Sequence, residues 1–340
     1  MSNVTLEKGL DAPLVAFEEL PVIDMADFIS GKDKQGVANK LGRACRDVGF
    51  LYLINHGVDE DAYRHIFDLA KRHFDKPHDV KMEDHVSKSA NHRGYFALFD
   101  ENTDPDKTAD LKEGFDLGRD LDANHPKVAE GHSLYGPNPW PINDPDFKRV
   151  SESYQEEMYK LSSHLLHAFA IALGLEETYF DDKFNDPLAL LRMLHYPPQK
   201  GYVEEETIGC GDHTDYGAFT ILAQKDVSGL QVRNANGDWI SVPVIEGGLV
   251  INIGDQMARW TNGLFKATHH RVINVSGEER YSIPFFFEPN WDAEIKCLET
   301  CYSDENPPKY EPVLAGPYLL SRLTDTFTYL EDEEVQEDAA

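Results

Sequence analysis

Beyond residue 189 the chain breaks into short apolar runs separated by turn signals, and this rhythm restricts the fold more than any other feature of the sequence. The runs cover residues 190–196, 219–224, 229–233, 238–242, 249–253, 268–275 and 280–287. Most are rich in β-branched or aromatic side chains, as strands are. Asn236-Gly237 makes a hairpin turn between two of them, and Gly254-Asp255 makes another break. Many short strands with closely spaced turns predict a sandwich or jelly roll.

The preceding half is mixed. A short strand starts near residue 20, a helix is expected over 34–48, and it runs into the buried strand Phe50-Leu51-Tyr52-Leu53-Ile54, closed by the turn Asn55-His56-Gly57. Asp59 offers an N-cap for a helix over 60–74, which Pro77 stops. A loop-rich stretch follows, in which Asn91-His92-Arg93-Gly94-Tyr95 and the segments 110–116 and 135–141 stand out. Tyr154, Met158, Leu161, Leu165, Phe169 and Leu173 recur at helical spacing, with Gly174 as the stop, so a long helix over 147–173 should back the sheet. A helix over 317–327 is expected, and then a disordered tail, since residues 331–340 include six acids.

Composition excludes some functions. The net charge of −29, from 32 basic and 61 acidic residues, argues against binding a phosphate backbone. No apolar run approaches the ~18 residues of a membrane span, and Met1-Ser2-Asn3-Val4-Thr5 lacks the start of a signal peptide. Cys45, Cys210, Cys297 and Cys301 show no disulfide-framework spacing, and Cys297-x-x-x-Cys301 has no second pair to complete a metal site. A reducing cytoplasm is therefore expected, with small molecules as partners and neither nucleic acid nor membrane. A monomer is expected.

The chemistry concentrates in the second half. In an extended strand residues i and i+2 share a face, so His213 and Asp215 would aim an imidazole and a carboxylate at one spot. His270, 55 positions beyond Asp215 (270 − 215), is far enough along for the chain to return with a third ligand. Two His and one carboxylate on one face of an octahedral Fe(II) leave three positions open. Arg280 and Ser282 repeat the i, i+2 spacing; a guanidinium fork beside a hydroxyl is a carboxylate clamp. His269, next to a candidate ligand, should face the other way, and His56, His164 and His167 are read as structural or surface histidines.

His213-x-Asp215, His270-Arg271-Val272 and Arg280-x-Ser282, with Gly49-Phe50 ahead of Asn55-His56-Gly57 and the stretch Tyr196-Pro197-Pro198, resemble the isopenicillin N synthase-like family of Fe(II)/2-oxoglutarate oxygenases. The resemblance spans roughly residues 20–328. It implies an α+β, mainly β fold: a double-stranded β-helix (jelly-roll) core backed by helices, with an N-terminal α/β region. The division it suggests is 20–145, a backing helix over 146–188, the core over 189–295, a C-terminal segment over 296–328 and the tail 329–340.

It also implies Fe(II) bound by His213, Asp215 and His270, with 2-oxoglutarate as co-substrate held by Arg280, Ser282 and Tyr196. O2 is consumed, a small molecule is oxidised, typically by hydroxylation, and succinate and CO2 leave. Leu194 stands where plant members usually carry Asn. Arg93, Tyr95, Phe285 and Phe287 are the candidate substrate contacts. Two other readings keep the same motifs: an oxidase that binds its own substrate's carboxylate at Arg280 and does without 2-oxoglutarate, and a catalytically silent ligand-binding jelly roll.

Overall fold

The computed structural model describes residues 20–104, 110–199, 208–274 and 276–324. Twelve strands build the part that positions the site: β1 (Val22–Asp24), β2 (Phe50–Ile54), β3 (Gly94–Phe96), β4 (Glu113–Leu117), β5 (Pro187–Tyr196), β6 (Cys210–His213), β7 (Phe219–Gln224), β8 (Leu230–Arg233), β9 (Trp239–Ser241), β10 (Leu249–Ile253), β11 (His270–Val272) and β12 (Arg280–Asn290). Eight form one sheet in the order β1-β2-β10-β7-β12-β5-β4-β3, and four form a second in the order β6-β11-β8-β9. All neighbouring pairs in the two sheets are antiparallel except β1 with β2. This is the jelly roll, and its larger sheet is continuous from the N-terminal strands into the core.

Both faces of the large sheet are buried, which explains why its strands read as unbroken apolar runs. One face carries Leu51, Leu53, Leu191, Met193, Ile221, Ala223, Ile251, Ile283, Phe285 and Phe287 into a core shared with the helices. Those helices are Lys34–Asp47, Glu60–Phe74 and the long Pro145–Ala172, whose Tyr154, Met158, Leu161, Leu165 and Phe169 lie buried against it. The alternate residues Phe50, Tyr52, Leu194, Tyr196 and Val250 face the small sheet's Cys210, Leu230, Val232 and Val272. The cavity opens between these two faces.

Local signals account for most boundaries. Asp59 caps the helix Glu60–Phe74 by accepting from the Ala62 backbone N–H at 2.8 Å, and β7 and β10 occupy the expected residues. Three expectations need correction. Gly254-Asp255 is not merely a break: Gly254 is the N-cap of a helix, Asp255–Trp260, too short for its periodicity to stand out. Of the strand expected over 268–275 the described residues form only β11; beside it Thr268 Oγ1 donates to the Val48 carbonyl and the Asn274 amide to the carbonyls of Tyr196 and Glu278, and residue 275 lies outside the described residues. The loop-rich stretch contains β3 and β4, which pair with each other and extend the large sheet past β5. The C-terminal helix is Ala315–Thr324; the rest of its expected span and the acidic tail lie outside the described residues.

Candidate metal and co-substrate site

β6 and β11 are antiparallel neighbours with His213 directly opposite His270, so the register of the small sheet brings the two imidazoles together at 4.1 Å between ring centres. β6 ends at His213, so Asp215 sits on the turn beyond it instead of at the next same-face position of a strand. That turn is pinned by the Asp255 backbone N–H donating to the Asp215 carbonyl at 2.8 Å. Asp215 Oδ1 then lies 3.6 Å from His213 Nε2 and 3.5 Å from His270 Nε2, and the three candidate ligand atoms fall within 4.8 Å of one another.

Each ligand is oriented from behind. His213 Nδ1 lies 2.8 Å from the Gly211 carbonyl and His270 Nδ1 3.2 Å from the Thr268 carbonyl; a proton on Nδ1 in each leaves Nε2 as a lone pair aimed at the shared point. Asp215 Oδ2 accepts from the Thr220 hydroxyl and, at 2.6 Å, from the Asn252 amide, so Oδ1 alone is turned to the histidines. Burial alone would raise the Asp215 pKa, but His270, His213 and the Thr220 bond outweigh it and hold it well below the usual carboxylate range. Burial, helped by His213, pushes His270 down to about 4. His213 goes the other way: Cys210 and Asp215 raise it well above an ordinary histidine despite burial. A buried carboxylate held ionised between two imidazole Nε2 atoms favours a cation at the shared point. Two neutral imidazoles and one carboxylate suit Fe(II).

Arg280 opens β12 opposite Tyr196 of β5. Its guanidinium lies over the Tyr196 ring at 4.6 Å, donates to Ser282 Oγ and to Gln224 Oε1 at 3.2 Å each, and is only 1% exposed. Burial depresses its pKa, which Tyr196 partly opposes. Among the described residues no carboxylate lies within 4 Å of it, and its Nε has no partner. A buried cation without an anion costs several kcal/mol, on the order of the effective penalty for desolvating an ion. The donor set therefore fits an incoming carboxylate.

Triad and clamp line one cavity of about 190 Å³. Its far wall is charged, and the cations Arg192 and Lys112 are paired within it. Arg192 grips both Asp116 oxygens at 2.7 Å and reaches Glu101 at 2.9 Å, and Lys112 pairs with Glu101 at 3.0 Å and Asp110 at 2.6 Å. Glu288, on the same face of β12 as Ser282, completes this lining; burial and then Asp215 push its carboxyl up to about 8.

The candidate substrate residues fare differently. Phe285 and Phe287 point away from the cavity into the helix-facing core, against Tyr159; Pro284, Phe286 and Glu288 are the residues of β12 that line it. Tyr95 is buried and donates to Glu113 Oε2 at 2.5 Å, behind the cavity. Arg93 lines the cavity, yet its guanidinium is taken up by the carbonyls of Arg119, Gly136 and Leu134 at 2.6 to 2.9 Å and by Asn138 Oδ1, so it ties loops together. Leu194 lines the cavity. His56 is held by Gly247 and Val58, His269 turns out to Asp212, and the four cysteines are free. Thr220, Asn252, Gln224 and Glu288 belong to none of the sequence motifs. Their common signal is a polar residue at an inward position of a mostly apolar strand.

With this geometry in hand, comparison with known proteins is direct. Residues 187–289 match the 2OG-Fe(II) oxygenase superfamily, and residues 20–143 match the family described as non-haem dioxygenase in morphine synthesis N-terminal. The 2-oxoglutarate-Fe(II) type oxidoreductase hxnY of Emericella nidulans is 37% identical over 300 residues, 86% of each chain. A homoarginine-6-hydroxylase of Arabidopsis thaliana is 34% identical, covering 92% of this chain and 90% of its own. A full-length Neurospora crassa protein, solved in complex with alpha-KG and thymine, superposes with a TM-score of 0.80 at 31% identity, over 94% of this chain and 99% of that one. The chain belongs to the 2OG-Fe(II) oxygenase superfamily. It is a non-haem dioxygenase that uses Fe(II), 2-oxoglutarate and O2.

Proposed function

We propose that this dioxygenase hydroxylates a small polar molecule held between the triad and the charged wall, with His213, Asp215 and His270 as the iron ligands and Arg280, Ser282 and Tyr196 seating the 5-carboxylate of 2-oxoglutarate. The observation that carries the reading is Arg280: a buried guanidinium without an acid partner, opening onto the same cavity as three convergent metal-type ligands. Iron and 2-oxoglutarate, once bound, supply the oxidising chemistry with O2 and release succinate and CO2. The protein's own part is orientation. Thr220 and Asn252 fix which Asp215 oxygen faces the metal, and Gln224 and Ser282 fix the plane of the guanidinium fork. Leu222, Leu230, Val272 and Phe50 close the walls around them with apolar surface that keeps water out.

The relatives' names and titles mention small molecules of several kinds, homoarginine and thymine in two, clavatol and auxin in others. In the same reading the chain acts alone on a soluble substrate, and no helix among the described residues is long and apolar enough to cross a membrane. The test is substrate-stimulated succinate release across a panel of small metabolites, with the product weighed by mass spectrometry after turnover under ¹⁸O2. Incorporation of one heavy oxygen into the product supports hydroxylation; loss of two hydrogens without added oxygen replaces it with desaturation.

A further inference from the structure

Among the described residues, two side chains that line the cavity carry a buried polar atom without a hydrogen-bond partner: Arg280 Nε and Glu288 Oε2. Arg280 is accounted for by the co-substrate. Glu288 is not. Both project from one face of β12, but eight residues separate them (288 − 280), roughly 26 Å of strand at ~3.3 Å per residue. That is far longer than a five-carbon diacid, so the co-substrate held at Arg280 does not reach Glu288.

The surroundings of Glu288 are built to hold a carboxyl. It is 5% exposed and paired across the sheet with Leu188 of β5. On its other side β7 has already ended, since the pairing of β12 with β7 stops at Phe287 with Phe219, and Gly217 fills the gap. A Cβ on Gly217 would collide with Glu288 Oε2, so the glycine makes room for the carboxylate, and the Ala218 backbone N–H hydrogen-bonds to it. Among the described residues nothing hydrogen-bonds to Glu288 Oε2. The positive groups on the far wall, Arg192 and Lys112, are occupied by Asp116, Glu101 and Asp110. The remaining neighbours at this end of the cavity, Leu188, Phe286, Leu319 and Tyr216, offer mainly apolar and aromatic surface. The last torsion of a Glu side chain is broad and soft, so the unpartnered oxygen can turn toward the cavity when a ligand donor there meets it.

We propose that Glu288 is a substrate-binding residue that accepts a hydrogen bond from an N–H group of the prime substrate, so that this enzyme selects molecules bearing a guanidine, amine or imide nitrogen near the carbon it oxidises. The proposal rests on reading the cavity as the substrate chamber. An N–H donor gives this Glu288 oxygen the partner that the described residues leave it without, and a cationic donor also favours ionisation of a carboxyl that burial otherwise holds neutral, whereas a purely apolar ligand leaves it unmet.

The test uses the anaerobic Fe(II)·2-oxoglutarate enzyme and calorimetry, with probes matched in shape whose counterparts have no N–H or O–H to donate: butylguanidine against butyl acetate, butylamine against methyl propyl ether, and uracil against 1,3-dimethyluracil. The expected result is that an N–H probe binds about 10-fold or more tightly than its counterpart, and that Glu288→Leu abolishes this preference while 2-oxoglutarate affinity is unchanged. The near-isosteric Glu288→Gln keeps a carbonyl acceptor without charge and guards against a misfolded Leu variant. With Gln the cationic probes lose affinity and uracil keeps it, which separates the two kinds of nitrogen. Failure of any N–H probe to bind better than its counterpart, or a preference that survives in both variants, overturns the role of Glu288. Loss of 2-oxoglutarate binding in both variants overturns the assignment of the cavity along with it.

Discussion

Asn252 donates its side-chain amide to Asp215 at 2.6 Å, on the carboxylate oxygen that faces away from His213 and His270. The bond decides which oxygen is presented to a metal, and with the Thr220 hydroxyl it removes the carboxylate's freedom to rotate. Partners of this kind behind a metal ligand are typically worth about 10- to 100-fold in affinity. Asn252→Ala should weaken Fe(II) binding by about that factor in a competition with a chelator of known affinity. Unchanged affinity would mean that Thr220 alone suffices.

Arg280→Lys removes the planar fork while keeping the charge. A charge-assisted hydrogen bond contributes about 1.5–3 kcal/mol, or roughly 10- to 150-fold, and Lys cannot copy the geometry set by Ser282 and Gln224. Anaerobic calorimetry should therefore give a 2-oxoglutarate dissociation constant raised by that range. A substrate KM that rises by as much, with 2-oxoglutarate binding intact, would place the prime substrate's carboxylate at Arg280 instead.

Arg93→Ala separates a structural strut from a substrate contact. The guanidinium satisfies the carbonyls of Arg119, Leu134 and Gly136, and its loss leaves several buried acceptors unpaired. At ~1–3 kcal/mol per buried group left unsatisfied, the variant should lose about 3 kcal/mol or more in denaturant unfolding. Full stability together with a raised substrate KM would return Arg93 to the substrate.

Glu113 of β4 ties its neighbours β3 and β5 to the helix His78–Lys81 and gives a pH signature. It accepts from Lys81 at 2.6 Å and Tyr95 at 2.5 Å and lies 2.7 Å from His195 Nδ1. Burial would raise its pKa, but the bonds from His195, Lys81 and Tyr95 hold it down to about 2. A folded value below the unfolded one means stability that is complete above the ordinary carboxylate pKa of about 4.5 and is lost as pH falls toward 2. Glu113→Gln should cost about 3–5 kcal/mol at pH 7, and its deficit relative to the wild type should shrink between pH 4.5 and pH 2. A deficit independent of pH would indicate lost packing alone.

Much of this site was legible because its chemistry needs rare residue types at fixed offsets: His213 with Asp215, His270, and Arg280 with Ser282 stand out from any background. Helix ends were legible where a side chain does the capping, as Asp59 does. Phase within β12 was the main failure. Phe285, Phe286 and Phe287 show no alternation because both faces of the sheet are buried, and hydrophobicity cannot say which one looks inward. Counting by twos from Arg280 and Ser282 would have chosen Phe286 and Glu288. The surroundings of Arg93 are illegible for another reason: nothing local announces that carbonyls some 26 to 43 residues away will close around it.

The central claim is that His213, Asp215 and His270 form one iron site. It is tested most directly by iron stoichiometry after anaerobic loading and gel filtration of the wild type and Asp215→Ala, with folding checked by circular dichroism. The account predicts one Fe(II) per wild-type chain and almost none in a folded Asp215→Ala variant, because two imidazoles alone lack the charge that draws the ion in. A folded Asp215→Ala variant that still retains one iron per chain would contradict it.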